Sequence, residues 1–166
     1  MLYWYSFLYH SSGSCRLFRL IFDFELSDKP LNEANLKGET MYDIYYAHHQ
    51  WKYGTKIEEY EIRLIKRYFP HANIFNPSTD LNTKGMPEPA IMEECLKQVM
   101  GSDILIFSSV DGCVGTGVYT EVMQAKSQGK FIFYIYQDKL RDDFDLVMRP
   151  EKERTDRLYA NVVFAW

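Results

Sequence analysis

Apolar and polar positions along this chain alternate between short runs of β-branched or aromatic residues and longer stretches with helical spacing. The densest example spans 102–136, SDILIFSSVDGCVGTGVYTEVMQAKSQGKFIFYIY. An apolar run at 104–107, led by Asp103, is followed by a turn-rich segment at 108–117 with Gly112, Gly115 and Gly117. A helix-like segment at 118–128, closed by Gly129, leads into a second apolar run at 131–136. Strand, glycine loop, helix and strand make one βαβ unit, with parallel strands and a right-handed crossover. Ligands in open α/β sheets bind beyond the carboxyl ends of strands, where this glycine loop lies. Glu121 falls in about the first turn of the helix, beside that edge.

The remaining elements follow from the same reading. The run MYDIYYA at 41–47 predicts a buried strand. Thr55 and Glu58 have capping-box spacing, and Ile57, Tyr60, Leu64, Ile65 and Tyr68 recur at helical intervals, so a helix is expected over 56–69, stopped by Pro70. A short strand at 72–75 ends in Asn76-Pro77-Ser78, and 78–88 is a polar loop. Pro89 opens the next helix, whose stripe is Ile91, Met92, Cys95, Leu96, Val99 and Met100, with Gly101 as its cap. The charge-dense 137–157 reads as a solvated loop with a helical turn; a lid over the site is its alternative. The run at 158–166 is expected to be the final strand. Five strands alternating with helices predict a flavodoxin-like, doubly wound α/β sandwich of three layers, with a mainly parallel five-stranded sheet in the order 2-1-3-4-5. Residues 1–40 read differently: aromatic at the start, polar and turn-rich over 27–40. They are expected to be an extension outside the core domain or an arm packing on the sheet, with 41–166 forming the α/β domain.

Composition narrows the function classes. At 166 residues, 46% hydrophobic and 25% charged, the chain suits one domain that buries a core without staples. A net charge of −4 and the lack of a lysine-rich run argue against polymeric nucleic acid as a partner. The cysteines Cys15, Cys95 and Cys113 form no C-x-x-C pair, so neither a zinc knuckle nor a disulfide framework is expected, and a reducing, cytoplasmic setting fits. No apolar run approaches the ~20 residues of a membrane span, and the aromatic start makes a poor signal peptide. His48 and His49 are adjacent, so they point opposite ways in an extended segment and are not expected to share a metal.

Among candidates for chemistry, Glu121 comes first. The positive end of a helix dipole, worth ~0.3–1 kcal/mol, favours an ionised carboxylate there; an acid placed only for helix stability is the alternative. Gly112, Gly115 and Gly117 allow backbone N–H groups to approach a ligand, although the loop is neither G-x-G-x-x-G nor a Walker loop. Asp111 suits either a sugar hydroxyl or simple Asp-Gly turn chemistry. Asp103 marks a strand entry, and Cys113 is a loop thiol with no neighbouring cation in sequence.

Taken together, Ile44-Tyr45-Tyr46-Ala47, Asn76-Pro77, Ser102-Asp103-Ile104-Leu105-Ile106, Asp111-Gly112, Gly115-Thr116-Gly117, Glu121, Ala125 and Gly129-Lys130 resemble the nucleoside 2-deoxyribosyltransferase superfamily, which includes the deoxynucleoside 5′-monophosphate N-glycosidases. The resemblance covers roughly 41–136. It implies a flavodoxin-like fold, no cofactor, and a small-molecule nucleoside or nucleotide as partner. It implies cleavage or transfer at the N-glycosidic bond of a 2′-deoxynucleoside or its 5′-monophosphate. In that pattern Glu121 is the nucleophile and Tyr45 orients it. Glu94 contacts base or sugar, and His48, Asp111, Gly112, Gly115, Thr116 and Gly117 surround the substrate. Three departures stand out: about two extra residues between the glycines and Glu121, Ala47-His48-His49 where the family often carries Gly-Pro or Gly-Ser, and Cys113 at an acidic loop position. They leave open a non-catalytic nucleotide-binding or sensing module. A homodimer is also expected, because Tyr119 and Met123 lie four apart, off the Val118, Val122, Ala125 stripe, and the family is often oligomeric.

Overall fold

The computed structural model describes residues 41–164, so the expectations for 1–40 and for 165–166 lie outside the described residues. The main sheet has five strands: β1 (Asp43–Ala47), β2 (Asn73–Phe75), β3 (Ile104–Phe107), β5 (Phe131–Tyr136) and β6 (Lys139–Arg141). Their order is β2-β1-β3-β5-β6. The first four are parallel, and β6 is an antiparallel edge. This is the flavodoxin-like order expected from the sequence.

The fifth strand is not the expected one. β5 turns straight back into β6 through Gln137 and Asp138, which take φ of 45° and 63°. Two positive-φ residues make a tight hairpin turn whose usual signature is Asn-Gly or Asp-Gly, so this turn carries no glycine cue. The run expected to close the main sheet forms β8 (Ala160–Phe164) in a separate three-stranded sheet, ordered β4-β8-β7, with β4 (Cys113–Val114) and β7 (Phe144–Met148). The 137–157 segment, expected as a solvated loop, therefore holds two strands, β6 and β7, before a short 3-10 turn at Glu151–Glu153.

Helices cover both faces. On one lies α1 (Lys56–Tyr68), packing Ile65 with Ile44, Tyr46, Ile104, Ile106 and Phe133. On the other, α3 (Glu88–Gly101) and α4 (Thr116–Ser127) bury Cys95, Val99, Val118, Val122 and Ala125 against Tyr45, Ala47, Leu105 and Phe107. Ala160 joins that second core from the small sheet. A single turn, α2 (Pro77–Asp80), follows β2 under the cap of Asn76. The period-2 alternation of β1 thus sends Tyr45 and Tyr46 into opposite cores.

Thr55 caps α1 as expected, accepting from the Glu58 amide at 3.3 Å. The buried face of α1 keeps Leu64, Ile65 and Tyr68 of the expected stripe but not its first two members. Ile57 and Tyr60 are 57% and 42% exposed, while Glu58 and Glu61 are buried beside Leu64 and Ile65. Partners from outside the helix explain the rotation. Lys52 Nζ donates to Glu61 at 2.7 Å and to Ser108 Oγ at 2.8 Å, and Tyr46 also donates to Glu61. Glu58 accepts from Asn76 at 2.9 Å and pairs with His48 at 3.0 Å.

Candidate active site

Glu121 is buried at 6% exposure on α4, facing the underside of β1, where the Tyr45 hydroxyl donates to it at 2.7 Å. Tyr45 is itself fully buried, with Phe75 stacked at 5.7 Å on its ring. Neither dipole nor capping holds the carboxylate. Glu121 lies in the second turn of α4, and no acid occupies the first. Burial, which strips water from the charge, pushes its pKa up to about 7 against the opposing hydrogen bonds of Tyr45 and the Cys95 thiol. The expectation of a dipole-stabilised, readily ionised Glu121 is corrected accordingly: near neutrality it holds and releases a proton.

The contrast with the other buried glutamates defines the site. Glu61 has the Lys52 ammonium at 2.7 Å. Burial raises the Glu58 pKa, but hydrogen bonds from Asn76, the Gly54 amide and His48 outweigh it and hold the group below its ordinary value. Glu121 has a phenol and a thiol but no cation among the described residues. A carboxyl group left with neutral donors, with one oxygen fixed, is suited to proton transfer or to nucleophilic attack. Tyr53 lies within its electrostatic reach: burial first, then the Glu121 charge, raises the Tyr53 pKa.

The other sequence-predicted residues distribute as follows. Asp111 and Gly112, with φ of 51° and 73°, form the tight turn of a hairpin closed by Val110 and Cys113; Asp-Gly is the usual chemistry for that turn. Gly115 caps α4, and a Cβ there would come 2.5 Å from the Asp156 carbonyl oxygen and 3.1 Å from the His49 ring. The Thr116 amide donates to that same carbonyl at 3.0 Å. Gly117 leaves room for the Met92 methyl, which would sit 3.3 Å from a Cβ. His48 is buried, stacked on Tyr46 at 4.1 Å, with ring nitrogens directed at Glu58 and the Tyr46 carbonyl. Glu94 binds Lys97 at 3.5 Å and accepts from Gln98 at 3.1 Å on its own helix. Lys130 donates to the Met100 carbonyl at 2.9 Å and closes the end of α3.

Around the glycine loop the structure joins the expected Asp111 to Trp51, Val110, Thr155 and Arg157, which the sequence analysis does not single out, and to His49. His49, Trp51, Val110, Asp111, Thr155 and Arg157 line a cleft of ≈ 560 Å³ at the carboxyl edge of the sheet. The Arg157 guanidinium lies over the Trp51 ring, 3.9 Å from its centroid. His49 meets Trp51 edge-on at 5.1 Å, and burial, with Arg157 and Lys52 nearby, lowers the His49 pKa. For Cys95 the sequence shows an apolar-stripe position and an unpaired cysteine, not a hydrogen-bond partner of Glu121. His49 and Trp51 sat in the loop after β1, while Arg157 lay in a segment with no pattern. No group of three or more His, Cys, Asp or Glu among the described residues is arranged to hold a metal ion, and no described helix is long and apolar enough to cross a membrane.

No family model matches the chain, and no curated protein matches it. Among solved structures, a 2-desoxiribosyltransferase from Leishmania mexicana is similar over 72% of this chain and 78% of its own, at 15% identity and a TM-score of 0.43. At that distance the fold assignment stands on the sheet order described above, and the chemistry of Glu121 stands on its own geometry.

Proposed function

We propose that the protein cleaves or transfers the N-glycosidic bond of a 2′-deoxynucleoside or its 5′-monophosphate, with Glu121 as nucleophile. The observation that carries this reading is the buried Tyr45–Glu121 pair, which has no compensating cation. Tyr45 fixes one carboxylate oxygen, and the other attacks the anomeric carbon as the base departs. The ester formed is then resolved by water in a hydrolase or by a second base in a transferase. Splitting one displacement into two, through an oxocarbenium-like transition state, is the strategy of retaining glycosidases. Incubating the protein with the common 2′-deoxynucleosides and their 5′-monophosphates, and assaying free base by chromatography, tests the reading directly. The 6% exposure of Glu121 favours one rival, a nucleotide-binding module without turnover, which would bind the panel and release nothing.

Tyr45→Phe is expected to lower turnover ~10–100-fold, the scale of losing one oriented hydrogen bond to a reacting group. Steady-state kinetics checks this, and an unchanged kcat would reduce Tyr45 to a packing residue. The same reading includes a homodimer through α3 and α4. Tyr119 now has Tyr159 packed on its ring at 5.0 Å, but Met123 is 40% exposed beside Lys126 in a groove against Phe144. Light scattering at micromolar concentration is expected to give twice the 19.7 kDa chain mass; a value equal to one chain rules the dimer out.

A further inference from the structure

Two donors beside Glu121 are engaged by it, the Tyr45 hydroxyl at 2.7 Å and the Cys95 thiol. A third is not. The Tyr53 hydroxyl makes no hydrogen bond among the described residues. Yet Tyr53 stands close to the pair, since burial first, and then the Glu121 and Cys95 charges, raise its pKa. Exposure falls from 37% at Tyr53 to 6% at Glu121 and 0% at Tyr45. Tyr53 is therefore the member of this group that meets solvent, the side from which a ligand arrives. A tyrosine placed for packing alone, with its ring held, usually has its hydroxyl partnered as well; here the ring is held and the hydroxyl is open.

We propose that the Tyr53 hydroxyl is a further catalytic group of this site, donating a hydrogen bond to the departing base while Glu121 forms its bond to the anomeric carbon. The assignment rests on the reading of Glu121 above. As the new carbon–oxygen bond forms, the electron pair of the breaking C1′–N bond passes to the base, and Tyr53 steadies the negative charge that develops there. A donor aimed at developing charge acts in the transition state more than in the ground state. Glu121 cannot do this itself, and Tyr45 and Cys95 already donate to Glu121. The raised pKa of Tyr53 keeps the phenol protonated, so it donates without giving up its proton. The proton that completes the free base comes from water on the exposed side of the ring. The backbone places Tyr53 before any ligand arrives. Its amide donates to the Gln50 carbonyl at 3.0 Å at the end of the 3-10 turn Gln50–Lys52, and the next amide, of Gly54, donates to Glu58 at 2.5 Å. The ring leans on His48 at 5.0 Å, and His48 is stacked on Tyr46.

The test is single-turnover base release by the full chain and by Tyr53→Phe, which removes the hydroxyl and keeps the ring. The probes are the common 2′-deoxynucleosides and their 5′-monophosphates, together with N7-methyl-2′-deoxyguanosine, whose base leaves neutral. Tyr53→Phe is expected to slow release about 10–100-fold, the scale of a hydrogen bond to a charged group. The loss should be largest for the least acidic leaving base and less than about threefold for N7-methylguanine, where no negative charge develops. Thermal unfolding of the variant should match that of the unmutated chain. Tyr60→Phe, at an exposed tyrosine of α1, should leave every rate unchanged. A loss of the same size for every base places Tyr53 in packing or general binding and overturns the assignment, as does no loss at all. Either result leaves Glu121 standing if Glu121→Gln abolishes release. Conversely, a graded loss in Tyr53→Phe together with turnover retained by Glu121→Gln would sink the nucleophile and keep Tyr53 in its role. No base release from the unmutated protein would sink both.

Discussion

Replacing Glu121 by Gln is expected to abolish base release and, at the same time, to make the protein more resistant to unfolding at alkaline pH. The first effect follows from removing the nucleophilic oxygen while keeping shape and an acceptor for Tyr45. Less than a hundredth of wild-type turnover is the expected order, comparable to losses at other covalent nucleophiles, and retention of a tenth or more would remove Glu121 from that role. The second effect follows from linkage. Glu121 titrates in the folded state near 7 rather than 4.5, so the folded protein holds a proton that the unfolded chain has released. The stability tied to that proton is fully present below pH 4.5 and is lost as pH rises through about 7. A shift of this size corresponds to on the order of 3 kcal/mol. Urea unfolding of both proteins at pH 4 and pH 8 is expected to show the Gln variant gaining by that order across the interval. A difference between the two that stays constant with pH would mean that Glu121 is not buried as described. For the same reason, turnover should rise as pH passes upward through about 7, where the carboxylate forms.

Lys52→Met is expected to cost about 3–5 kcal/mol, the price of leaving a buried carboxylate without its cation. Lys52, Glu61, Tyr46 and Ser108 are each under 9% exposed and bonded to one another, so no water replaces the lost ammonium. The double variant Lys52→Met with Glu61→Gln should recover most of the loss, because the uncompensated charge goes too. Failure of the double variant to recover in urea unfolding would place the cost in packing instead.

The two glutamates show where sequence reading reached and where it stopped. The βαβ unit, the Thr55 cap, and the Val118, Val122 and Ala125 stripe are local patterns, written within one or two helical turns, and they are present in the fold. The burial of Glu58 and Glu61 depends on Lys52, His48 and Asn76, groups that only the tertiary fold brings together, so helical periodicity pointed instead to Ile57 and Tyr60. β6 escaped because its hairpin turn uses Gln137-Asp138 at positive φ with no glycine. β8 was legible as a strand but not as part of a second sheet, since its partners β4 and β7 are set by non-local pairing. At the site, the Tyr45–Glu121 pairing came from family resemblance. Spacing alone put Glu121 at the edge of the sheet, and its raised pKa required knowledge of its burial.

Tyr45 and Tyr46 are consecutive, yet each reaches a glutamate on a different helix, Glu121 on α4 and Glu61 on α1. Suppose β1 slipped by one residue against its neighbours. Sliding one way puts Tyr46 where Tyr45 stood and Ala47 where Tyr46 stood; Glu121 keeps a phenol and Glu61 loses one. Sliding the other way puts Ile44 beneath Glu121 and Tyr45 beside Glu61, with the loss reversed. Neither hydrogen bond alone would distinguish the native alignment from both of its neighbours, but the pair does. The doublet works as a two-sided latch on strand register, so the residue that orients the candidate nucleophile also takes part in deciding which way β1 faces.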